Sequence, residues 1–268
     1  MKEWRKYPFL LMIIITSLGY GGTQMMEARR TEPPKEKTTV ENTINEREKA
    51  VDKQADKKQE LPGQTEEQQV VPVPEKREFQ RVEMNYLDDA LFIGDSRTST
   101  LYEYAGWTNV DFFVKYGLTV WDVWENDMDG RTLESMLTGK QYGKVYIGLG
   151  INELGSGTPE SFTEQFRSIV EQVRTLQPNA VIFVEAIMHV TQSKDAENTY
   201  INNQEINARN ERLKELADNQ SIFYIDVNEA MDEPGTGKLK EEYTFDGVHL
   251  QVKYIEILRE FLLNHGIK

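Results

Sequence analysis

Apolar residues in the chain after residue 78 fall into five short runs, separated by longer segments in which they recur every three or four positions. Short runs rich in branched and aromatic side chains predict buried strands, and the longer spacing predicts helices. The predicted strands are residues 90–93, 110–114, 144–149, 180–187 and 221–226.

Three helices follow from the same pattern. Thr158 can cap, and Pro159 can open, a helix whose apolar positions form one stripe up to Leu176. Residues 200–217 and 253–264 are the other two predicted helices. Because strands and helices alternate along the chain, we expect an α/β fold with a parallel sheet covered by helices on both faces.

The first 78 residues differ in composition from the rest. A basic start precedes an apolar stretch, residues 9–20, as in secretion signals, so residues 1–26 are predicted to be an N-terminal signal or membrane anchor. Residues 27–78 are rich in Glu, Lys, Gln, Thr and Pro, which predicts a disordered charged stalk. Residues 79–268 form the predicted globular domain. We therefore expect an exported protein, anchored in the cell membrane and facing outside, or secreted if the N-terminal segment is cleaved.

Charge and cysteine content narrow the possible partners. Residues 1–85 carry equal numbers of acidic and basic side chains, so the formal net charge of −14 comes entirely from residues 86–268. Such an acidic domain argues against nucleic acid as a partner, and it leaves the N-terminal segment as the only expected membrane contact. The absence of cysteine excludes disulfides, thiol nucleophiles and a lipoprotein anchor.

The first predicted strand ends in Gly94-Asp95-Ser96, where glycine permits a sharp turn. The carboxyl edge of a parallel sheet is where open α/β folds carry their chemistry. If a helix begins near Ser96, its positive end and free N–H groups can stabilise an oxyanion beside the hydroxyl. Ser96 is therefore the candidate nucleophile, and the alternative is that Asp95 and Ser96 only cap the helix.

Asp246 and His249 lie three positions apart near the end of the chain, so that the carboxylate can orient the imidazole. A serine nucleophile needs such a base, and the base needs such an acid. A surface loop containing an unrelated Asp and His is the alternative. His189, after the fourth strand, is a rival base for which a loop position or a bond to a backbone carbonyl is expected.

Two further strand ends offer hydrogen-bond donors. Asn152 follows the third strand, and its amide can donate to an oxyanion. Gly117 follows the second strand and offers a backbone N–H, although each of the two positions alone is typical of a turn. Trp121 and Trp124 come next, either as a wall on which a sugar stacks or as packing residues. The acidic residues of this segment lack the spacing of a calcium loop, so no metal site is predicted.

Together these residues resemble, in order, the conserved blocks of the SGNH or GDSL hydrolase superfamily, particularly its bacterial exported members. Gly94-Asp95-Ser96 resembles the first block, Gly117 the second, residues 150–153 the third and residues 246–249 the fifth. The resemblance implies a three-layer α/β/α sandwich around a five-stranded, mostly parallel sheet of the flavodoxin-like type. It also implies ester hydrolysis through an acyl-serine, with an oxyanion hole of Ser96, Gly117 and Asn152, and without a cofactor.

We therefore expect an exported serine esterase that hydrolyses short acyl esters, chiefly acetyl esters, on a small-molecule or cell-envelope carbohydrate substrate. Ser96, His249 and Asp246 would be its nucleophile, base and orienting acid. Arg97 departs from many lipase-like members and argues against a long-chain lipid substrate. Two alternatives remain open: an O-acyltransferase that uses the same three residues, and a non-catalytic module that binds the envelope. The sequence leaves the oligomeric state open.

Overall fold

The computed structural model describes residues 77–268, and a five-stranded parallel sheet forms its centre. The predicted segment 1–26 and all but the last two residues of the predicted stalk, 27–78, lie outside the described residues. The spatial order of the strands in the sheet is β2-β1-β5-β6-β7, and every pair of neighbours is parallel. The strands, including the separate pair β3 and β4, are β1 Ala90–Gly94, β2 Asp111–Val114, β3 Asp127–Met128, β4 Arg131–Thr132, β5 Lys144–Gly148, β6 Val181–Glu185 and β7 Ile222–Ile225.

Helices cover both faces of the sheet, which gives the expected α/β/α sandwich. The α-helices are α1 Ser96–Tyr104, α2 Leu133–Gly139, α3 Pro159–Leu176, α4 Gln192–Asp195, α5 Asn203–Lys214, α6 Asn228–Met231 and α7 Ile255–Asn264. Single 3₁₀ turns are present at Met84–Leu87, Glu241–Tyr243 and Val252–Tyr254. Within residues 77–268, none of the helices combines the length and the apolar character that crossing a membrane requires.

Alternation along the strands divides the core into two layers. Leu91 and Ile93 of β1 pack toward α2, α3 and α5, whereas Ala90 and Phe92 pack toward α1 and α7. On the second face, aromatic rings stand side by side across all five strands, because their positions are in register. These rings belong to Phe112, Phe92, Tyr146, Phe183 and Phe223, with neighbouring centroids 4.4 to 6.2 Å apart. Burying each ring contributes on the order of 2 kcal/mol, so this row is a major stabilising feature.

The longest helix follows its sequence signals closely. The Thr158 hydroxyl accepts a hydrogen bond from the Ser161 N–H, the Ser161 hydroxyl accepts one from the Thr158 N–H, and Pro159 occupies the first helical turn. Its predicted stripe is buried, and the fully buried Phe162 and Phe166 belong to the first core layer. The reciprocal cap and the proline therefore fix where this helix begins.

The fourth strand is shorter than its apolar run predicts. Residues 186–190 remain buried. The Ala186 N–H still donates to the Ile225 carbonyl of β7, but after it asparagine side chains replace a neighbouring strand as hydrogen-bond partners. Asn210 accepts from the N–H of Ile187 and donates to its carbonyl, and Asn203 does the same for Val190. Asn228 accepts from the His189 N–H. Because three side chains satisfy this backbone, the segment can leave the sheet without a cost in lost hydrogen bonds.

The sequence prediction did not include the β3–β4 hairpin or the short helices α2, α4 and α6. Strands β3 and β4 form a hairpin whose two turn residues, Asp129 and Gly130, have φ of +53° and +74°. This pair of positive φ values is the turn geometry that suits a two-residue hairpin. Helix α2 follows directly, capped by the Thr132 hydroxyl.

The predicted helices 200–217 and 253–264 begin later in the structure, at Asn203 and Ile255. Asn202 caps the former, and a 3₁₀ turn precedes the latter.

Helix α1 packs so closely on the sheet that Gly94 has no room for a side chain. A Cβ at this position would lie 2.0 Å from Oγ1 of Thr98 and 2.9 Å from the carbonyl oxygen of Gly148. We therefore expect Gly94→Ala to lower the free energy of unfolding by about 1–3 kcal/mol through overpacking. Denaturant unfolding measures this change.

Gly139→Ala is the matched control for this variant. A Cβ at Gly139 meets no atom within 4 Å, so its unfolding free energy should stay within about 0.5 kcal/mol of the parent. Equal effects of the two substitutions would contradict the close packing at Gly94.

Candidate active site

The candidate residues converge at the carboxyl edge of the sheet, between β1 and its neighbours. Strand order changes direction there, because β2 lies on one side of β1 and β5 on the other. Such a switch point leaves a crevice between the loops that follow the two central strands. Gly94 and Gly148 are paired in register at this edge, so the segments after them begin side by side.

Ser96 is the first residue of helix α1, and Asp95 is its N-cap. The Asp95 carboxylate accepts a hydrogen bond of 2.9 Å from the Arg97 N–H. The predicted capping role is therefore real, and it leaves Ser96 at the positive end of the helix. The N–H of a first helical residue has no acceptor within its own helix, so that of Ser96 is available to an oxyanion.

The structure brings Ser96, His249 and Asp246 into a continuous chain of hydrogen bonds. Oγ of Ser96 lies 2.9 Å from Nε2 of His249, and Nδ1 of His249 lies 2.7 Å from Oδ2 of Asp246. With a proton on Nδ1, the imidazole donates to the carboxylate and accepts from the serine hydroxyl. Ser96 is largely buried, whereas the side chains of His249 and Asp246 are 44% and 54% exposed, so the base borders solvent.

The carboxylate of Asp246 is held in its charged form. Partial burial alone would raise the pKa, but the N–H groups of His249 and Val248 both donate to Oδ1 at 2.8 Å, and the Thr244 hydroxyl also donates to it. These bonds keep the pKa of Asp246 well below its usual value. A fixed negative charge beside Nδ1 can therefore orient the imidazole and stabilise its protonated form.

The two other candidate donors lie on neighbouring loops. Gly117 has φ of +77°, which favours glycine, and its N–H donates to no residue within 77–268. Asn152 donates one hydrogen bond of 3.0 Å from Nδ2 to the Leu118 carbonyl. An amide nitrogen carries two hydrogens, so the second remains for a ligand while the first fixes the side chain beside the Gly117 loop.

Glu153 has a role that sequence reasoning missed. The side chain is fully buried, and Oε1 accepts a hydrogen bond of 2.6 Å from the Val120 N–H, while Oε2 has no partner among the described residues. Burial raises the pKa of Glu153 to about 7 despite this bond. The contact ties the loop of Asn152 to the loop of Gly117. In the sequence, Glu153 directly follows the candidate donor Asn152 after a predicted strand. That position could have pointed to this role, but burial of an acid was not expected there.

Arg97, next to the nucleophile in helix α1, binds the backbone of the segment that carries the base. Its Nε donates to the Val248 carbonyl at 3.1 Å, and its Nη1 donates to the Met188 carbonyl at 2.6 Å. Burial lowers the pKa of this guanidinium to about 10, which leaves it charged at neutral pH. The sequence indicated Arg97 only as a departure from lipase-like relatives, but the residue holds the segment that carries His249.

The rival base and the tryptophans have other environments. Nδ1 of His189 lies 2.7 Å from Asp232 and its Nε2 lies 2.8 Å from Asn207, so this buried ring contacts two side chains rather than the expected backbone carbonyl.

The two tryptophans differ in exposure. Trp124 packs against the core, whereas Trp121 is 40% exposed and lies beside Gly157. Trp124 is therefore a packing residue, and only Trp121 lies on the surface.

Comparisons with known proteins identify the family and the fold. A family model described as GDSL-like lipase/acylhydrolase matches residues 92–253. A solved structure from Streptococcus pneumonia, provisionally described as a platelet activating factor, is 26% identical, with a TM-score of 0.55 over 65% of this chain and 81% of that chain. A GDSL-like lipase from Bacteroides thetaiotaomicron is 15% identical, with a TM-score of 0.51 over 67% and 88%, which shows a shared fold. No curated protein sequence matches the chain.

The buried carboxyl of Glu153 predicts a pH-dependent stability. A raised pKa in the folded state means that ionisation destabilises the fold, so stability is highest below the unfolded-state pKa of about 4.5 and falls until pH passes about 7. We expect Glu153→Gln to remove this loss and to gain up to about 3 kcal/mol on the parent between pH 5 and pH 8. Urea unfolding at both pH values measures the gain, and Glu171→Gln, at an exposed position, should leave the pH dependence unchanged.

Proposed function

This chain belongs to the GDSL-like lipase/acylhydrolase family and is an ester-hydrolysing enzyme, and from that premise we propose that it is a serine esterase that removes short acyl groups, chiefly acetyl, from carbohydrate. The observation that carries the proposal is the hydrogen-bonded chain of Ser96, His249 and Asp246, with distances of 2.9 and 2.7 Å. A base within such reach of a hydroxyl is the requirement for an activated serine.

In the proposed reaction, Oγ of Ser96 attacks the ester carbonyl carbon while Nε2 of His249 takes the hydroxyl proton. The negative charge that forms on the carbonyl oxygen is stabilised by the Ser96 and Gly117 N–H groups and by the free hydrogen of the Asn152 amide. His249 then gives its proton to the departing alcohol, which leaves an acyl-serine. Water attacks the acyl carbon, His249 accepts a water proton, and Ser96 regains its hydrogen as the carboxylic acid leaves. Asp246 stabilises the protonated imidazole in both halves of the reaction.

The surface of the described domain supports a short acyl group. A long acyl chain needs aliphatic surface to replace its contact with water. Among residues 77–268, Val252 is the single large aliphatic side chain that is highly exposed, and the other exposed large apolar side chains are aromatic. An acetyl group needs little such surface, because its methyl group is its whole apolar part.

Exposed aromatic side chains on the loops at this edge support a carbohydrate as the alcohol. Tyr116 precedes Gly117, Trp121 packs on Gly157, and Phe245 precedes Asp246, with exposed fractions of 66%, 40% and 92%. Flat rings that combine apolar faces with polar edges suit amphipathic partners such as sugars. The exposed His249 also leaves space for a bulky alcohol.

The proposed location rests on the sequence of residues 1–78. The basic and apolar start would place the domain outside the cell, and the stalk would carry it toward a substrate fixed in the envelope. We expect protease treatment of intact cells to remove the domain from a membrane-bound chain. Protection of the domain until the cells are lysed would contradict export.

Ser96→Ala tests the proposed nucleophile. We expect hydrolysis of p-nitrophenyl acetate to fall by at least about a thousandfold, since the acyl-serine cannot form. Ser99→Ala is the control in the same helix, where the hydroxyl donates to the Asp95 carbonyl, and it should keep activity within about threefold. Parent-like turnover in Ser96→Ala, with a correctly folded protein, would overturn the proposed mechanism.

Acyl length and alcohol are tested separately. We expect kcat/KM for p-nitrophenyl acetate to exceed that for the octanoate by at least about tenfold. Each extra methylene would gain about 0.8 kcal/mol only if apolar surface buried it, and without such surface the longer chain still loses conformational entropy when it is ordered in the site. Acetate release from an O-acetylated wall polysaccharide, absent with Ser96→Ala, should accompany this preference. Preference for the octanoate, or hydrolysis of the aryl ester without any release from polysaccharide, would contradict the proposed substrate.

A further inference from the structure

The buried His189 has a hydrogen-bond acceptor at each of its two ring nitrogens. Nδ1 lies 2.7 Å from Oδ2 of Asp232, and Nε2 lies 2.8 Å from Oδ1 of Asn207. An ionised carboxylate only accepts hydrogen bonds, and the same is true of an amide oxygen. Both ring nitrogens must therefore carry a hydrogen for the two bonds to form, which makes the ring a positively charged imidazolium.

The positive charge of this ring compensates the charge of Asp232. The Asp232 side chain is 15% exposed, and within residues 77–268 His189 is the only cation with which it pairs. Burial alone would lower the pKa of His189, but the bonds to Asp232 and Asn207 and the charge of Asp232 raise it above its usual value. Loss of the ring proton would leave the carboxylate buried beside a neutral donor, which is unfavourable.

The other charged groups around His189 also favour the imidazolium. Asp226 precedes helix α6, Asp195 ends helix α4, and the negative charge of each attracts the ring. The one cation in this group is Lys238, whose Nζ lies 3.1 Å from Oδ2 of Asp195 and is paired with that carboxylate. The surroundings of the ring are therefore acidic on the side of α4 and on the side of α6.

The residue before His189 contacts the segment of the catalytic base through Arg97. The Met188 carbonyl accepts a hydrogen bond of 2.6 Å from Nη1 of Arg97, and Nε of the same guanidinium donates to the Val248 carbonyl at 3.1 Å. The backbone on the amino-terminal side of the ring is thus joined to the residue directly before the base.

The backbone on the other side of His189 contacts the same segment directly. The Thr191 N–H donates to the Gly247 carbonyl at 3.1 Å, and a Cβ at Gly247 would lie 2.9 Å from Oγ1 of Thr191. Gly247 stands between Asp246 and His249 in the sequence. Residues on both sides of the charged ring therefore hold the short segment that carries the catalytic acid and base.

We propose that His189 is a positioning residue for the ester hydrolysis: as an imidazolium paired with Asp232, it fixes residues 188–191 and thereby the position of His249. When the ring loses its proton to the solvent, residues 188–191 loosen, and Nε2 of His249 is no longer held against Oγ of Ser96. The ring itself takes no part in the proton transfers. This inference rests on the proposed function, because it concerns the same serine and the same base.

Activity should then be limited on both sides of neutral pH. On the acid side, His249 must lose a proton before it can act as a base. On the alkaline side, His189 must keep its proton, and its raised pKa places the loss of activity above about pH 6.5. The pKa of Arg97, about 10, lies beyond this range. We expect kcat/KM for p-nitrophenyl acetate to fall at least threefold from its maximum by pH 9, after subtraction of the Ser96→Ala rate.

Asp232→Asn tests this assignment of the alkaline limit. The amide keeps the shape of the side chain but removes the charge that raises the pKa of His189, so the alkaline limit should move to lower pH by at least about one unit. The acid limit should stay where it is. Glu233→Gln is the matched control, since it removes an exposed carboxylate from the next position, and its pH profile should equal that of the parent. An activity lowered by the same factor at every pH would mean a merely structural role and would overturn the proposal.

NMR titration of the full-length parent chain tests the charge of the ring without any substitution at Asp232. The chain has three histidines, so His249→Gln and His265→Gln assign the ring signals. We expect both ring nitrogens of His189 to be mostly protonated at pH 6.5, and the ring to titrate over the same range as the alkaline limit of kcat/KM. A ring that is mostly neutral at pH 6.5, or that titrates in a different range, would overturn the proposal.

Labelling of Ser96 by a fluorophosphonate separates this inference from the proposed function. We expect the labelling rate to show the same alkaline limit as ester hydrolysis, because both need the base in place. Absence of labelling and of hydrolysis at every pH would overturn the proposed function, and the role of His189 with it. Labelling and hydrolysis whose alkaline limit is unchanged in Asp232→Asn would overturn the role of His189 alone.

Discussion

The arrangement of the candidate site depends on how closely helix α1 approaches the edge of the sheet. Only a residue without a Cβ fits at Gly94, where Thr98 and the Gly148 carbonyl fill the surrounding space. This approach places the first turn of the helix directly above the paired ends of β1 and β5. The free N–H groups of the helix and the serine hydroxyl consequently lie at one point, within reach of loops from the neighbouring strands.

Ionisable side chains that are removed from water hold those loops together. Arg97 connects the helix to the carbonyl groups of Val248 and Met188, and Glu153 connects the Asn152 loop to Val120. Each of these side chains loses hydration when it is buried, as the shifts of their pKa values indicate. An apolar side chain of similar volume would avoid that penalty but would leave the backbone groups of the loops unsatisfied. Burying these side chains therefore lowers the stability of the fold, but it fixes the distances between the oxyanion donors, the serine and the histidine.

Much of the fold could be predicted because its signals are local. The apolar runs of β1 and β5 and the cap and stripe of α3 each depend on residues that are adjacent or one helical turn apart. Ser96 could be predicted from its residue type and its position after β1, and Asp246 and His249 from their spacing of three positions and their resemblance to a family block. The burial of Glu153, the contacts of Arg97 and the early end of β6 could not, because each depends on partners that are far away in the sequence.

The asparagines that satisfy residues 186–190 also bear on the chemical ageing of the protein. Asn203, Asn210 and Asn228 come from two different helices, and each is no more than 5% exposed. Deamidation would turn an amide that both donates and accepts into a carboxylate that only accepts, and would place its charge against a backbone carbonyl. Asparagine is among the least durable residues, and burial in rigid structure shields these three from water. The segment that leads from the sheet to the Arg97 contact is thus protected for as long as the surrounding core stays folded.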